Sequence, residues 1–120
     1  MKANSSGRVR LASVIRELLG SGKLNDKGCK HLTIIQDVTP SADGCEDCLK
    51  TGDEWVHLRL CLTCGYVGCC DDSKNKHATR HYHQIGHPMI ASYEEGENWL
   101  WCYVDELGFN IKNLPDLISE

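Results

Sequence analysis

Bulky core-forming residues are scarce in this chain of 120 residues: it has one Phe and two Met, and aromatic residues make up 7%. So thin a core leaves a domain of this size short of stabilisation unless cross-links supplement it. Long apolar runs are missing as well. Nothing approaches the roughly 18 consecutive apolar residues of a transmembrane helix, which excludes a helical membrane span. The opening stretch MKANSSGRVRLASVIRELLG has polar residues where an export signal needs an apolar run. Secretion is therefore not expected, and a cytoplasmic location is. Positive charge is not in excess either. Lys and Arg number 13 against 17 Asp and Glu, a net charge of −4, which argues against a domain held on nucleic-acid phosphates. The signatures HExxH, HxE with PCxxC, and GxSxG are all lacking, so no enzyme is expected. No internal repeat or low-complexity tract occurs.

Cysteine and histidine, by contrast, are abundant, at eight and six. An even number of cysteines admits a disulfide framework. Their arrangement favours metal. Cys45/Cys48 and Cys61/Cys64 each have the CxxC spacing that two ligands of one ion require, and histidines cluster after them. A disulfide framework has no use for histidine, whereas zinc sites use it routinely. A thiol redox or zinc-reservoir protein working through its CxxC pairs is the alternative class.

Along the chain, residues 1–7 read as a disordered leader. Val9, Leu11, Ala12, Val14, Ile15, Leu18 and Leu19 then recur at helical spacing over 8–19, with Ser5 or Ser6 as cap and Gly20 as stop. The helix either packs on the domain or docks a partner; packing is expected. With the linker Gly20-Ser21-Gly22 it forms an N-terminal unit, 1–22, ahead of a domain over 23–120. Residues 31–38 are β-prone. Residues 40–54 read as a Pro-, Asp- and Gly-rich loop. Alternation of Val56, Leu58, Leu60 and Leu62 predicts a half-buried strand over 55–62. Residues 73–84 predict a helix capped by Asp72 or Ser73 and ended by Gly86 and Pro88. Short strands follow over 89–93 and 99–104. The tail from Leu107, with Leu114, Leu117 and Ile118, reads as a final turn or a mobile end.

The candidate ligands, in order, are Cys29 and His31; Cys45 and Cys48; Cys61 and Cys64; Cys69; His77 and His81; His87; and Cys102 and Asp105. Zinc takes four ligands tetrahedrally from thiolate, imidazole and carboxylate, so these twelve suffice for three ions. Cys70, His57 and His83 are left over. Spacing alone would put His77 and His81 on one ion, since i and i+4 share a helix face.

The order and spacing resemble the UBP-type zinc finger, the ubiquitin-binding module of some deubiquitinases and of a cytoplasmic histone deacetylase. The resemblance covers residues 27–107. It rests on Cys29-Lys30-His31, Cys45-Glu46-Asp47-Cys48, the run from Cys61 to Cys69, the His77/His81/His87 series and Trp101-Cys102-Tyr103. It implies an α+β fold, a small twisted sheet of short strands with a helix packed on it, held by zinc. It also implies an interleaved ligand set. Cys45, Cys48, Cys69 and His77 hold one zinc, and Cys61, Cys64, His81 and His87 a second. Cys29, His31 and Cys102 hold the third, with Asp105 where the family has cysteine.

Ubiquitin-binding members grip a free C-terminal Gly-Gly tail with an arginine and an aromatic wall. The arginine's position here is Asp71, followed by Asp72, and an anion there repels a carboxylate. Trp101 and Tyr103 keep the wall, with Trp101 open to a core-filling role instead, and Trp55 matches a further groove aromatic. The resemblance thus implies a module that binds an unidentified protein or peptide tail and binds ubiquitin weakly.

Overall fold

A computed structural model of the chain describes residues 7–111. The expected disordered leader and the tail residues Leu114, Leu117 and Ile118 lie outside the described residues, apart from residue 7. The architecture is α+β, as the resemblance implied. Five short strands form one antiparallel sheet: β1 (Leu58–Cys61), β2 (Val67–Cys69), β3 (Met89–Ser92), β4 (Trp99–Cys102) and β5 (Leu107–Asn110), in the order β2-β1-β3-β4-β5. The helices are α1 (Ala12–Gly20), α2 (Glu46–Thr51) and α3 (His77–Ile85).

Side chains alternate across a pleated sheet, so the register divides the strand residues into two faces. Leu58, Leu60, Val67, Met89, Ala91, Leu100 and Phe109 share one face, linked by the pairings Leu60↔Val67, Leu60↔Ala91, Ala91↔Leu100 and Leu100↔Phe109. All are buried, and they meet Val9, Leu11, Ile15, Leu32, Ile35 and Val38 in a single core. The other face carries Gly68, Arg59, Cys61, Ile90, Trp99, Trp101 and Gly108. Helix α3 lies across its β2 side. A Cβ on Gly68 would fall 2.7 Å from the Ala78 amide nitrogen, so glycine is what lets the helix approach so closely. The β4 side of that face is left half-open.

The N-terminal helix packs on this core through Leu11, Ala12 and Ile15. It begins later than the periodicity predicts. Val9 is drawn into an antiparallel bridge with Val38, and the Asp37 carboxylate accepts the Ala12 amide at 3.0 Å. That carboxylate, 25 residues away in sequence, supplies the N-terminal acceptor expected of Ser5 or Ser6.

Three further departures have local causes. Residues 31–38 do not form a strand. Lys30–Ile34 is a 3-10 helix that buries Leu32 and leads to buried Ile35, and Val38 alone bridges. The loop over 40–54 contains α2, with Glu46 and Asp47 in its first turn, Lys50 in its last and left-handed Gly52 (φ 77°) after it. The tail from Leu107 begins as strand β5, paired along β4.

Helix α3 starts at His77 rather than at 73. Ser73 is turned inward and its hydroxyl accepts the Val56 amide at 2.9 Å, so it caps nothing. Lys76 takes a left-handed φ of 51° and swings His77 toward Cys69.

Candidate metal centres and groove

The twelve candidate ligands come together in three groups of four: Cys45, Cys48, Cys69 and His77; Cys61, Cys64, His81 and His87; Cys29, His31, Cys102 and Asp105. Within each group the candidate donor atoms lie within 4.8 Å of one another. The distances fit one ion per group. For zinc–sulfur bonds of about 2.3 Å and zinc–nitrogen bonds of about 2.0 Å, tetrahedral edges are about 3.8 Å (S···S) and about 3.5 Å (S···N). In the first group His77 Nδ1 stands 3.2, 3.4 and 3.6 Å from the sulfurs of Cys45, Cys48 and Cys69. Cys48 and Cys69 Sγ are 4.0 Å apart. In the second, Cys61 Sγ is 3.4 Å from His87 Nδ1, and Cys64 Sγ is 3.4 Å from His81 Nε2. In the third, His31 Nδ1 lies 3.8 Å from Cys29 Sγ, 3.4 Å from Cys102 Sγ and 3.0 Å from Asp105 Oδ2.

His77 and His81 fall in different groups although they sit one turn apart on α3. His77, at the helix start, offers its inner nitrogen Nδ1 to the cysteines beside α2 and β2. His81 offers the outer Nε2 to the turn after β1. The two ring nitrogens thus serve donor sets on different elements, which helical spacing cannot express. Burial, and then the neighbouring His87, hold the His81 imidazole below its ordinary pKa, which favours the neutral form that can donate a lone pair.

The protein environment is that of ligands for a cation. Backbone amides of Thr63 and Cys64 favour the Cys61 thiolate, and the amides of His77 and Asp105 point at Cys69 and Cys102 Sγ, at 3.2 and 3.4 Å. Burial pushes the Cys29 and Cys45 thiols up to about 12 and Cys61 up to about 11, so without a cation these groups hold their protons. A bound divalent ion would supply the charge that stabilises them as thiolates. Asp105 is held below its ordinary value first by its hydrogen bond to Cys29 and then by His31.

Supporting contacts went unread in the sequence. Tyr66 donates its hydroxyl to Asp47 Oδ2 at 2.6 Å and stacks its ring on His81 at 4.3 Å, tying the first group's α2 to the second group's histidine. Asn75 Nδ2 donates to Cys48 Sγ (3.7 Å) and to Asp53 Oδ2 (2.9 Å). Such outer contacts orient ligands. Cys70, His57 and His83 stay outside the three groups. Cys70 is buried, with its sulfur 3.5 Å from the Ser73 hydroxyl.

The groove residues behave differently. Trp101, Tyr103 and Asp71 line one concavity of about 190 Å³, over Ile90 and Cys70. Trp101 is half-buried on the open sheet face, not in the core. Trp55 does not join them. It precedes β1, lays its ring over Gly44 and lines a separate hollow with Asp53 and Lys74, so its expected place in the groove is corrected. In its stead stand Trp99 and Arg59. Both were legible in principle: Trp99 is two residues before Trp101 and so on the same face, and Arg59 alternates with buried Leu58 and Leu60.

A small α+β domain with three four-donor groups, two of Cys and His and one of Cys, His and Asp, is a zinc-finger module. The chain belongs to the family described as Zn-finger in ubiquitin-hydrolases and other protein, whose profile matches residues 45–113. It is 32% identical over 96 residues to ubiquitin carboxyl-terminal hydrolase 44 of Xenopus tropicalis, covering 74% of this chain and 14% of the relative. It is 34% identical over 59 residues to the NAD-dependent deacetylase sir2A of Dictyostelium discoideum, covering 49% of this chain and 10% of that one. The chain thus spans between a tenth and a seventh of these curated relatives. The solution structure of protein RPA1320 from Rhodopseudomonas palustris superposes with a TM-score of 0.66 at 62% identity, covering 72% of this chain and 84% of that one. Among the described residues no helix is long and apolar enough to cross a membrane.

Proposed function

We propose that this domain binds three zinc ions, one per group, as structural cross-links, and presents the concavity beside Trp101 and Tyr103 as a docking site for a peptide or protein tail in the cytoplasm. No catalytic role is assigned to the metal. Each group offers four protein donors, whereas catalytic zinc keeps a position for water or substrate. The observation that carries the binding reading is a hollow walled by half-buried aromatic rings on an otherwise packed sheet, with Asp71 at its rim. Aromatic side chains left partly open in a concavity are the usual substance of binding sites.

Recognition of a free ubiquitin tail is weakened or lost in this reading. Asp71 stands where tail-binding relatives have arginine, and its carboxylate is fixed by the Thr79 hydroxyl at 2.6 Å. Losing one member of a buried charge pair costs about 2–5 kcal/mol, and reversing its sign costs at least as much. A micromolar interaction would then fall to roughly millimolar. Titration of ubiquitin into isotopically labelled, zinc-loaded protein checks this. The indole signals of Trp99 and Trp101 should show no saturation in the micromolar range. Saturable low-micromolar shifts there would contradict the loss of ubiquitin recognition.

A further inference from the structure

Arg59 and Asp71 line the same concavity of about 190 Å³ and carry opposite charges, yet among the described residues Arg59 has no ion-pair partner. Its guanidinium lies over the Trp99 ring, 4.6 Å from the centroid, and among the described residues its one hydrogen bond runs from Nη1 to the Leu58 carbonyl at 3.0 Å. Stacking on an aromatic fixes the plane of the guanidinium and leaves its edge free to meet a carboxylate with two parallel hydrogen bonds. Asp71 is fixed separately. Its Oδ1 accepts from Thr79, whose hydroxyl also lies 3.2 Å from Tyr103, and Tyr103 stacks on Tyr82 at 4.6 Å. The protein holds two opposite charges apart within one small aromatic hollow and does not let them neutralise each other. A ligand carrying both signs would satisfy both. The hollow is well below the roughly 300–1,000 Å³ of sites that enclose a whole small ligand, which suits the end of a longer chain.

We infer that the occupant is a peptide C-terminus with a lysine or arginine among its last two residues, its terminal carboxylate on Arg59 and its cationic side chain against Asp71. This rests on the groove reading above and names the chemistry of its ligand. It places the carboxylate anchor on β1, across the hollow from the position that the family resemblance assigns to it. Asp71 becomes a selector that favours a basic tail and repels an acidic one.

The test uses the zinc-loaded protein and three short peptides. One ends in Gly-Lys with a free carboxylate, the second is its C-terminal amide, and the third has glutamate in place of lysine. The free acid should bind about tenfold or more tightly than either of the others, the loss expected for one charge-assisted contact. Arg59→Gln should make acid and amide equal, and Asp71→Asn should make the lysine and glutamate peptides equal. Free lysine at the same concentration should bind far more weakly than the peptide. If acid and amide bind the wild-type protein alike, or free lysine matches the peptide, this inference is wrong while the docking groove stands. If none of the peptides shifts the Trp99 and Trp101 indole signals, the groove reading falls with it.

Discussion

Asp105 is the one carboxylate among the twelve donors, and its position fixes how the third group differs from the other two. Its Oδ2 lies 3.0 Å from His31 Nδ1 and 3.6 Å from Cys102 Sγ, at the corner a fourth ligand would take. Oxygen is a harder donor than thiolate sulfur, so of the three proposed zinc sites this one is expected to hold its ion least tightly. Asp105→Ala should release one zinc to a chromogenic chelator at concentrations that leave the other two in place, and Asp105→Cys should make all three resistant. Unchanged release from Asp105→Ala would remove Asp105 from the ligand set. At this scale the candidate donors were readable as a series: one CxxC or one HxxxH has other uses, but twelve donors between residues 29 and 105 have few. Arg59 and Trp99 were harder to find. A strand's outward residues look like ordinary solvated positions until the register shows which of them share a hollow.

Helix α3 shows what spacing alone cannot settle. His77 and His81 share a face by periodicity, yet one presents Nδ1 and the other Nε2 to donors on different elements. Single substitutions His77→Ala and His81→Ala should each cost a different ion, and the double variant should lose two. Loss of a single ion in the double variant would mean that the two share a site. Other elements were obscured by tertiary contacts. Helix α2 hides in a stretch that reads as loop, although acidic residues at its start, Lys50 at its end and Gly52 after it are helix signals. Strand β5 contains Gly108, which reads as a break but sits opposite Trp101 in the ladder. The β-prone segment after Cys29 folds as a 3-10 helix because Leu32 and Ile35 both reach the core from a tight turn.

For the molecule as a whole, three zinc ions bound as proposed would act as staples on a core with a single buried Phe. The first joins residues 45–48 to 69 and 77, and the second joins 61–64 to 81 and 87, so the loops they close overlap. The third joins Cys29 and His31 to Cys102 and Asp105 and encloses both. Cross-links that close long loops remove the most freedom from the unfolded chain. A small domain whose sites form only on folding gains its folding free energy from the metal. The sheet-and-helix class and the interleaved grouping both came from the resemblance to the UBP-type zinc finger; donor spacing by itself would have put His77 and His81 on one ion. The core face, by contrast, depends on strand register, which short apolar runs do not specify. The central claim, that three four-donor groups each hold a zinc ion in the folded protein, is tested most directly by native mass spectrometry of the purified domain. The account predicts a mass increment of three zinc ions, less the protons displaced from the thiols; a folded protein carrying fewer than three would contradict it.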